Sequence, residues 1–267
     1  MYIIAIIVFI LGLILGSYVN SLIWRLANDI SFKGRSQCPY CRQKIYFYDN
    51  IPLLSFVFLK GRCRNCKQKI SWQYPIVELS LGLLFVLVFL NIFDFSILSL
   101  EDMWAQLKAG DFWLLLRNWL AVFLLTIIFV FDWRYLLIPV NLLIIFSPIF
   151  WLLNILNGVT WWWPLLAAIL VAAFFLFQFL ITKGKGLGEG DIYLGATLGF
   201  LFPLHQELIV AILLSYFIGS IVGILFIIFK KKKWQTKMPL GTFLVIGSIL
   251  SMFFGKIIWQ SYWNFFL

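Results

Sequence analysis

The sequence is a succession of apolar segments, most of them close to the length of a membrane-crossing helix. A helix needs about 20 apolar residues to cross the hydrocarbon core, where the backbone must satisfy its own hydrogen bonds. Segments of this kind read at 1–24, 75–93, 111–131, 136–154, 161–181, 191–203, 207–229 and 239–256. The expected fold is an all-α polytopic membrane protein with about eight transmembrane helices. Composition agrees, since 63% of residues are hydrophobic and only 12% charged, against roughly half and a quarter in a soluble domain. No Lys or Arg precedes Arg25, so the first segment lacks the basic lead of a cleaved signal and reads as a retained span. The segment from Asp191 to Pro203 is short. Either the bilayer thins there, or that helix is partly buried in protein with its start recessed.

The net charge of +10 could suggest a nucleic-acid partner, but the basic residues fall in alternate loops between apolar segments. That pattern is an orientation signal, with Lys and Arg retained on the cytoplasmic side. With the amino terminus outside, only Lys108, Arg117 and Lys256 of the 21 Lys and Arg residues fall on the outer side. Asp132 and Asp191 then share the inner face, and the run Lys230 to Lys233 is expected to meet anionic lipid headgroups. The one sizeable polar insertion, 25–74, is expected to form a small cytoplasmic lobe between the first span, 1–24, and a membrane core, 75–267.

That lobe holds all four cysteines, as Cys38-Pro39-Tyr40-Cys41 and Cys63-Arg64-Asn65-Cys66. Two such pairs read as a tetrahedral zinc site, closed to catalysis because four thiolates leave no open position. Arg35, Arg42, Arg62 and Arg64 lie close in sequence and would favour thiolate. Two disulfides are the alternative, disfavoured on the reducing side of a membrane.

Two carboxylates stand out at the ends of apolar segments. Asp191 closes Gly188-Glu189-Gly190-Asp191, and Asp132 precedes Ile138-Pro139. Carboxyl groups at a membrane edge are expensive to keep there. A pair brought together shares one proton, and so offers both an acid and a base for hydrolysis. Taken singly, Asp132 could simply pair with Arg134, and Asp191 could be a helix cap. A phosphate loop at 184–190 is excluded by the missing GxxxxGK[ST] pattern.

The combined pattern resembles the type IV prepilin peptidases, bifunctional leader peptidases and N-methyltransferases, over nearly the whole chain. Gly188 to Asp191 is similar to the GxGD signature of that family, and Asp132 with Ile138-Pro139 to its first aspartate motif. Gly16 to Asn20 with Trp24-Arg25, Asn50 to Ser55, Gly61 to Cys63, Tyr74 to Glu78 and Met238 to Phe243 fit as well. Val140 departs from it, because many members carry an aspartate directly after the Ile-Pro. The resemblance implies cleavage of the basic leader of pilin-like precursors at the cytoplasmic side of the bacterial inner membrane. Asp132 and Asp191 would be catalytic, with Gly188, Glu189 and Gly190 in support. It also implies methylation of the new amino terminus with S-adenosylmethionine.

Asn20 and Glu78, polar groups near span ends, are candidates for the substrate entrance or the methyl-donor site. Packing between helices is the alternative for both. Two readings compete with the peptidase: a proton-coupled transporter using Asp132, Asp191 and Glu78 as a relay, and a non-catalytic zinc-bearing scaffold.

Overall fold

Each of the eight apolar segments folds as a helix. The structure is a computed structural model describing residues 2–31, 34–93, 111–184, 186–203, 205–229 and 239–266. In chain order its helices are α1 (Tyr2–Ala27), α2 (Leu54–Phe58), α3 (Gln73–Ile92), α4 (Phe112–Tyr135), α5 (Val140–Leu156), α6 (Trp162–Thr182), α7 (Glu189–Leu201), α8 (His205–Ile228) and α9 (Leu240–Phe266). A 3-10 turn, Phe47–Asn50, precedes α2. Among the described residues there is no strand, only the isolated bridges Gln37 to Lys44 and Arg62 to Lys69. Among the described residues, six helices are long and apolar enough to cross a membrane: α1, α3, α4, α6, α8 and α9. The helix α5 is apolar but has 17 residues, and α7 has 13. The count of eight spans is therefore approximate. The lysine run 230–233 and Met238 lie outside the described residues.

The chain divides into two compact units, Met1–Trp104 and Ala105–Leu267. The expected division had placed the second span, 75–93, with the later ones. Instead α3 packs on α1, because small residues let the two backbones touch. A Cβ added to Gly12 would lie 2.7 Å from Gly82 Cα, and one on Gly16 would lie 2.7 Å from Glu78 Cα. Helices in lipid associate through such close packing, since lipid is as apolar as their side chains.

In the second unit α4 packs against α5 and α9, α6 against α7, α7 against α5, and α8 against α9. The core joins Leu124 and Ile128 of α4 to Phe150 of α5, Phe175 of α6 and Leu198 of α7. The short α7 is enclosed by protein, with Leu194, Gly195, Thr197, Leu198 and Gly199 all buried. Gly199 brings its backbone against that of Ala168. The far end of α7 also has protein partners. Asn154 Nδ2 donates to Phe200 O (2.7 Å), and Arg117 Nη1 donates to Asn154 Oδ1 (2.7 Å). A helix ending inside a membrane protein needs such partners for its last carbonyls, because water is absent. Of the two options for this short segment, burial in protein is the one realised.

Candidate active site

Asp132 sits in the last turn of α4 and is 5% exposed. The helix runs three residues past it, so the aspartate belongs to the helix and not to the turn. Leu136 then stops the helix in a left-handed conformation (φ 54°), its N–H donating to Asp132 O at 2.9 Å. Asp132 Oδ2 accepts two hydrogen bonds from Thr242, one from the backbone N–H (2.6 Å) and one from Oγ1 (3.0 Å). Thr242 lies in the first turn of α9, where backbone N–H groups have no partner within the helix. Asp132 therefore caps a helix of which it is not a member, where a negative charge is favoured.

Asp191 occupies the equivalent place on its own helix. It is in the first turn of α7, 6% exposed, and its Oδ2 accepts the Gly188 N–H at 2.9 Å. This is one half of a capping box. Its other oxygen, Oδ1, is buried and has no hydrogen-bond partner among the described residues. Buried carboxylate oxygens are rarely left so. Ile138, from the turn after α4, packs at both helix starts. A Cβ on Gly190 would lie 2.8 Å from Ile138 Cβ, and one on Gly241 would lie 3.1 Å from Ile138 Cδ1 and 2.9 Å from Asp132 Oδ2. At Gly190 the clash falls on the branched Cβ of Ile138, so only glycine fits; at Gly241 it falls on the ends of the Asp132 and Ile138 side chains, which a methyl would displace. Glu189 is exposed, whereas the two aspartates are buried.

The cysteine lobe repeats one turn twice. Cys38 N–H donates to Gln43 O (3.0 Å) and Arg42 N–H to Cys38 O (2.9 Å). Cys63 N–H donates to Gln68 O (2.9 Å) and Lys67 N–H to Cys63 O (3.0 Å). Arg42 and Lys67 both take positive φ, 56° and 60°. The two turns bring all four Sγ atoms within 4.8 Å of one another, with Cys38 and Cys66 at 3.8 Å. Sulfurs at the corners of a tetrahedron around zinc, each about 2.3 Å from it, lie about 3.8 Å apart, so the donor set fits a metal ion. Burial pushes the Cys38 thiol up to about 12. At Cys63 burial is outweighed by the backbone amides of Cys66 and Asn65, and the thiol comes down to about 7. Arginines are not the cause of that lowering. Arg64 forks onto Asp49 (2.8 and 2.7 Å) and lies over the Tyr48 ring, while Arg35 donates to Ile45 O.

At the base of the lobe, Glu78 Oε2 accepts the Leu53 N–H (2.8 Å) and Asn20 Nδ2 donates to Tyr74 O (3.1 Å). Both residues are buried; Asn20 ties α1 to the start of α3, and Glu78 ties α3 to the chain before α2.

These features can be set beside known proteins. A Bacterial Peptidase A24 N-terminal domain matches residues 10–92, and the Type IV leader peptidase family matches residues 119–224. A prepilin leader peptidase/N-methyltransferase of Bacillus subtilis (strain 168) is 34% identical, with 96% of each chain covered. The chain belongs to the type IV leader peptidase family. Proteins of the same name from Stutzerimonas stutzeri and Vibrio cholerae are 31% and 32% identical. The matches cover 96% and 94% of this chain, and 92% and 97% of theirs. No solved structure matches. As a leader peptidase family member the chain is an enzyme, and its two matched regions fall one in each compact unit.

Within this leader peptidase fold, Asp191 bonds Gly188, and Ile138 packs both on Gly190 beside Asp191 and on Gly241 beside Asp132. Glu189 stays at the surface. Asn20 and Glu78 lie in the other unit with partners of their own. Thr242 is the group that residue-by-residue reading did not single out. Its signal is faint: a Gly-Thr pair just after Pro239, where an apolar segment starts and a helix leaves N–H groups unpaired.

Proposed function

We propose that the chain is a membrane aspartic endopeptidase. It removes the basic leader of pilin-like precursors, cutting after a glycine on the cytoplasmic side of the bacterial inner membrane. The observation that carries this reading is the pair of buried aspartates seated at the starts of α7 and α9, one of them with an unpartnered oxygen. The names of the relatives supply the substrate class, and the distribution of basic residues supplies the side of the membrane.

Asp132, whose Oδ2 already receives two donors, acts as the ionised partner, and Asp191 carries the shared proton. A water molecule loses a proton to Asp132 as its oxygen bonds to the scissile carbonyl carbon. Asp191 gives its proton to the carbonyl oxygen. As the tetrahedral intermediate collapses, one of its hydroxyls returns a proton to Asp191 as the C=O bond re-forms, the C–N bond breaks, and the proton held by Asp132 passes to the leaving amine. The apolar walls from Ile138 exclude bulk water and strengthen each of these interactions.

Cys38, Cys41, Cys63 and Cys66 would hold zinc, which supplies a structural crosslink and no open coordination position. The N-methyltransferase activity in the relatives' names is extended to this chain with S-adenosylmethionine as donor. Asn20 and Glu78 are committed to Tyr74 and Leu53, so they do not fit a methyl-donor site as placed, and no step is derived through that donor.

The test is co-expression with a pilin-like precursor. Asp132→Asn and Asp191→Asn are each expected to leave the leader uncut while the protein accumulates in the membrane. Cleavage at the parental rate by either variant would overturn the dyad.

A further inference from the structure

We propose that α2, with the chain just before it, is a membrane-dipping element whose apolar face inserts among lipids at the surface beneath the cysteine lobe. Its side chains are out of keeping with a watery loop. Phe58 is 80% exposed, Val57 69% and Leu54 55%, with Phe47 (79%) and Trp72 (69%) on the same lobe. Contiguous apolar exposure of this kind marks a contact surface.

The depth of α2 identifies the contact. The helix α3 has 20 residues and is therefore about 30 Å long, the thickness of the hydrocarbon core. It has no length to spare, so its second turn already lies at or below the acyl boundary. Glu78 is in that second turn, and its carboxylate accepts the N–H of Leu53, the residue directly before α2. Leu53 turns the chain there with φ 60°. Phe56 of α2 also packs on Trp72, the residue directly before α3, with ring centroids 5.0 Å apart. The start of α2 is thus pinned beside a part of α3 that is in the membrane.

Charge points the same way. Immediately after α2 come Lys60, Arg62, Lys67 and Lys69, outside the buried interior. The nearby acid, Asp49, is engaged by Arg64. An exposed apolar face followed in the chain by exposed Lys and Arg is the composition of an element lying in the plane of an anionic leaflet, seated about 5–10 Å into the headgroup and acyl boundary. The inference does not depend on the peptidase reading.

Full-length protein carrying the photoreactive residue p-benzoylphenylalanine in place of Phe58 tests it. The protein is placed in lipid nanodiscs containing phosphatidylglycerol, illuminated, and analysed by mass spectrometry. Val57, replaced in the same way, provides an independent arm if the residue at 58 disturbs the fold. Gln68, exposed on the second cysteine turn, serves as the control. Lipid adducts from positions 57 or 58 and none from 68 are expected. Adducts from 57 and 58 to another protein segment or a second copy would make this a protein-docking face and overturn the proposal. The absence of lipid adducts at 57 and 58, or equal adducts at 68, would overturn it as well.

Discussion

Asp132 and Thr242 are 110 positions apart, yet Thr242 gives Asp132 Oδ2 both its hydrogen bonds. Thr242→Val keeps the backbone donor and removes the hydroxyl. A hydrogen bond to a charged group contributes about 1.5–3 kcal/mol, so leader cleavage is expected to slow about 10- to 100-fold, short of the loss in Asp132→Asn. Thr242→Ser should restore the rate. Equal rates for Thr242→Val and the parent would remove the hydroxyl from the mechanism. Gly190→Ala adds a methyl 2.8 Å from Ile138 Cβ and should lower cleavage sharply. Adding Ile138→Gly removes that Cβ together with the Cδ1 and Cγ1 atoms 3.4 Å away, and the double variant should cleave faster than Gly190→Ala alone, a coupling read directly by a double-mutant cycle. The aspartates were legible in the sequence because a carboxylate at the end of an apolar span stands out. The Thr242 donors were not, because an unpaired helix-start N–H is a property of the fold and carries no letter of its own.

The helix α7 shows how far an element can be read from its residues. Its length was plain from the distance between Gly188 and Pro203, while its burial depended on Ala168, Phe175 and Asn154, which come from α5 and α6. Hydropathy cannot distinguish a helix facing lipid from one facing other apolar helices. Asn154→Leu removes the side-chain donor to Phe200 O and the acceptor of Arg117 Nη1 together, while Arg117 Nε keeps Asn118. Each buried group left unsatisfied costs about 1–3 kcal/mol. The variant should unfold at a clearly lower temperature in detergent and cleave more slowly, because the helix carrying Asp191 loses the anchor at its other end. An unchanged melting temperature would remove Asn154 from that role. The end of α4 carried a similar ambiguity. Apolar residues stop at Phe131, but the helical turns continue to Tyr135, since helix geometry does not end where hydrophobicity does.

For the whole molecule, the membrane class and the four-cysteine lobe were legible from composition and spacing. The grouping of α3 with α1 was not, because it depends on Gly12, Gly16 and Gly82 meeting across two helices. Division into two units predicts separate responses to metal removal. Chelation should open residues 36–70 to proteolysis and amide exchange, because folding of so small a lobe is coupled to its ligands. The unit Ala105–Leu267 should keep its protection under the same treatment. Loss of protection in both units at the same chelator concentration would show that they fold as one. The wedge of Ile138 between Gly190 and Gly241 has a mechanical consequence. It acts as a shim. The gap between two rigid helix ends, and with it the tolerance on where two carboxyl groups sit, is set by the thickness of a single aliphatic side chain.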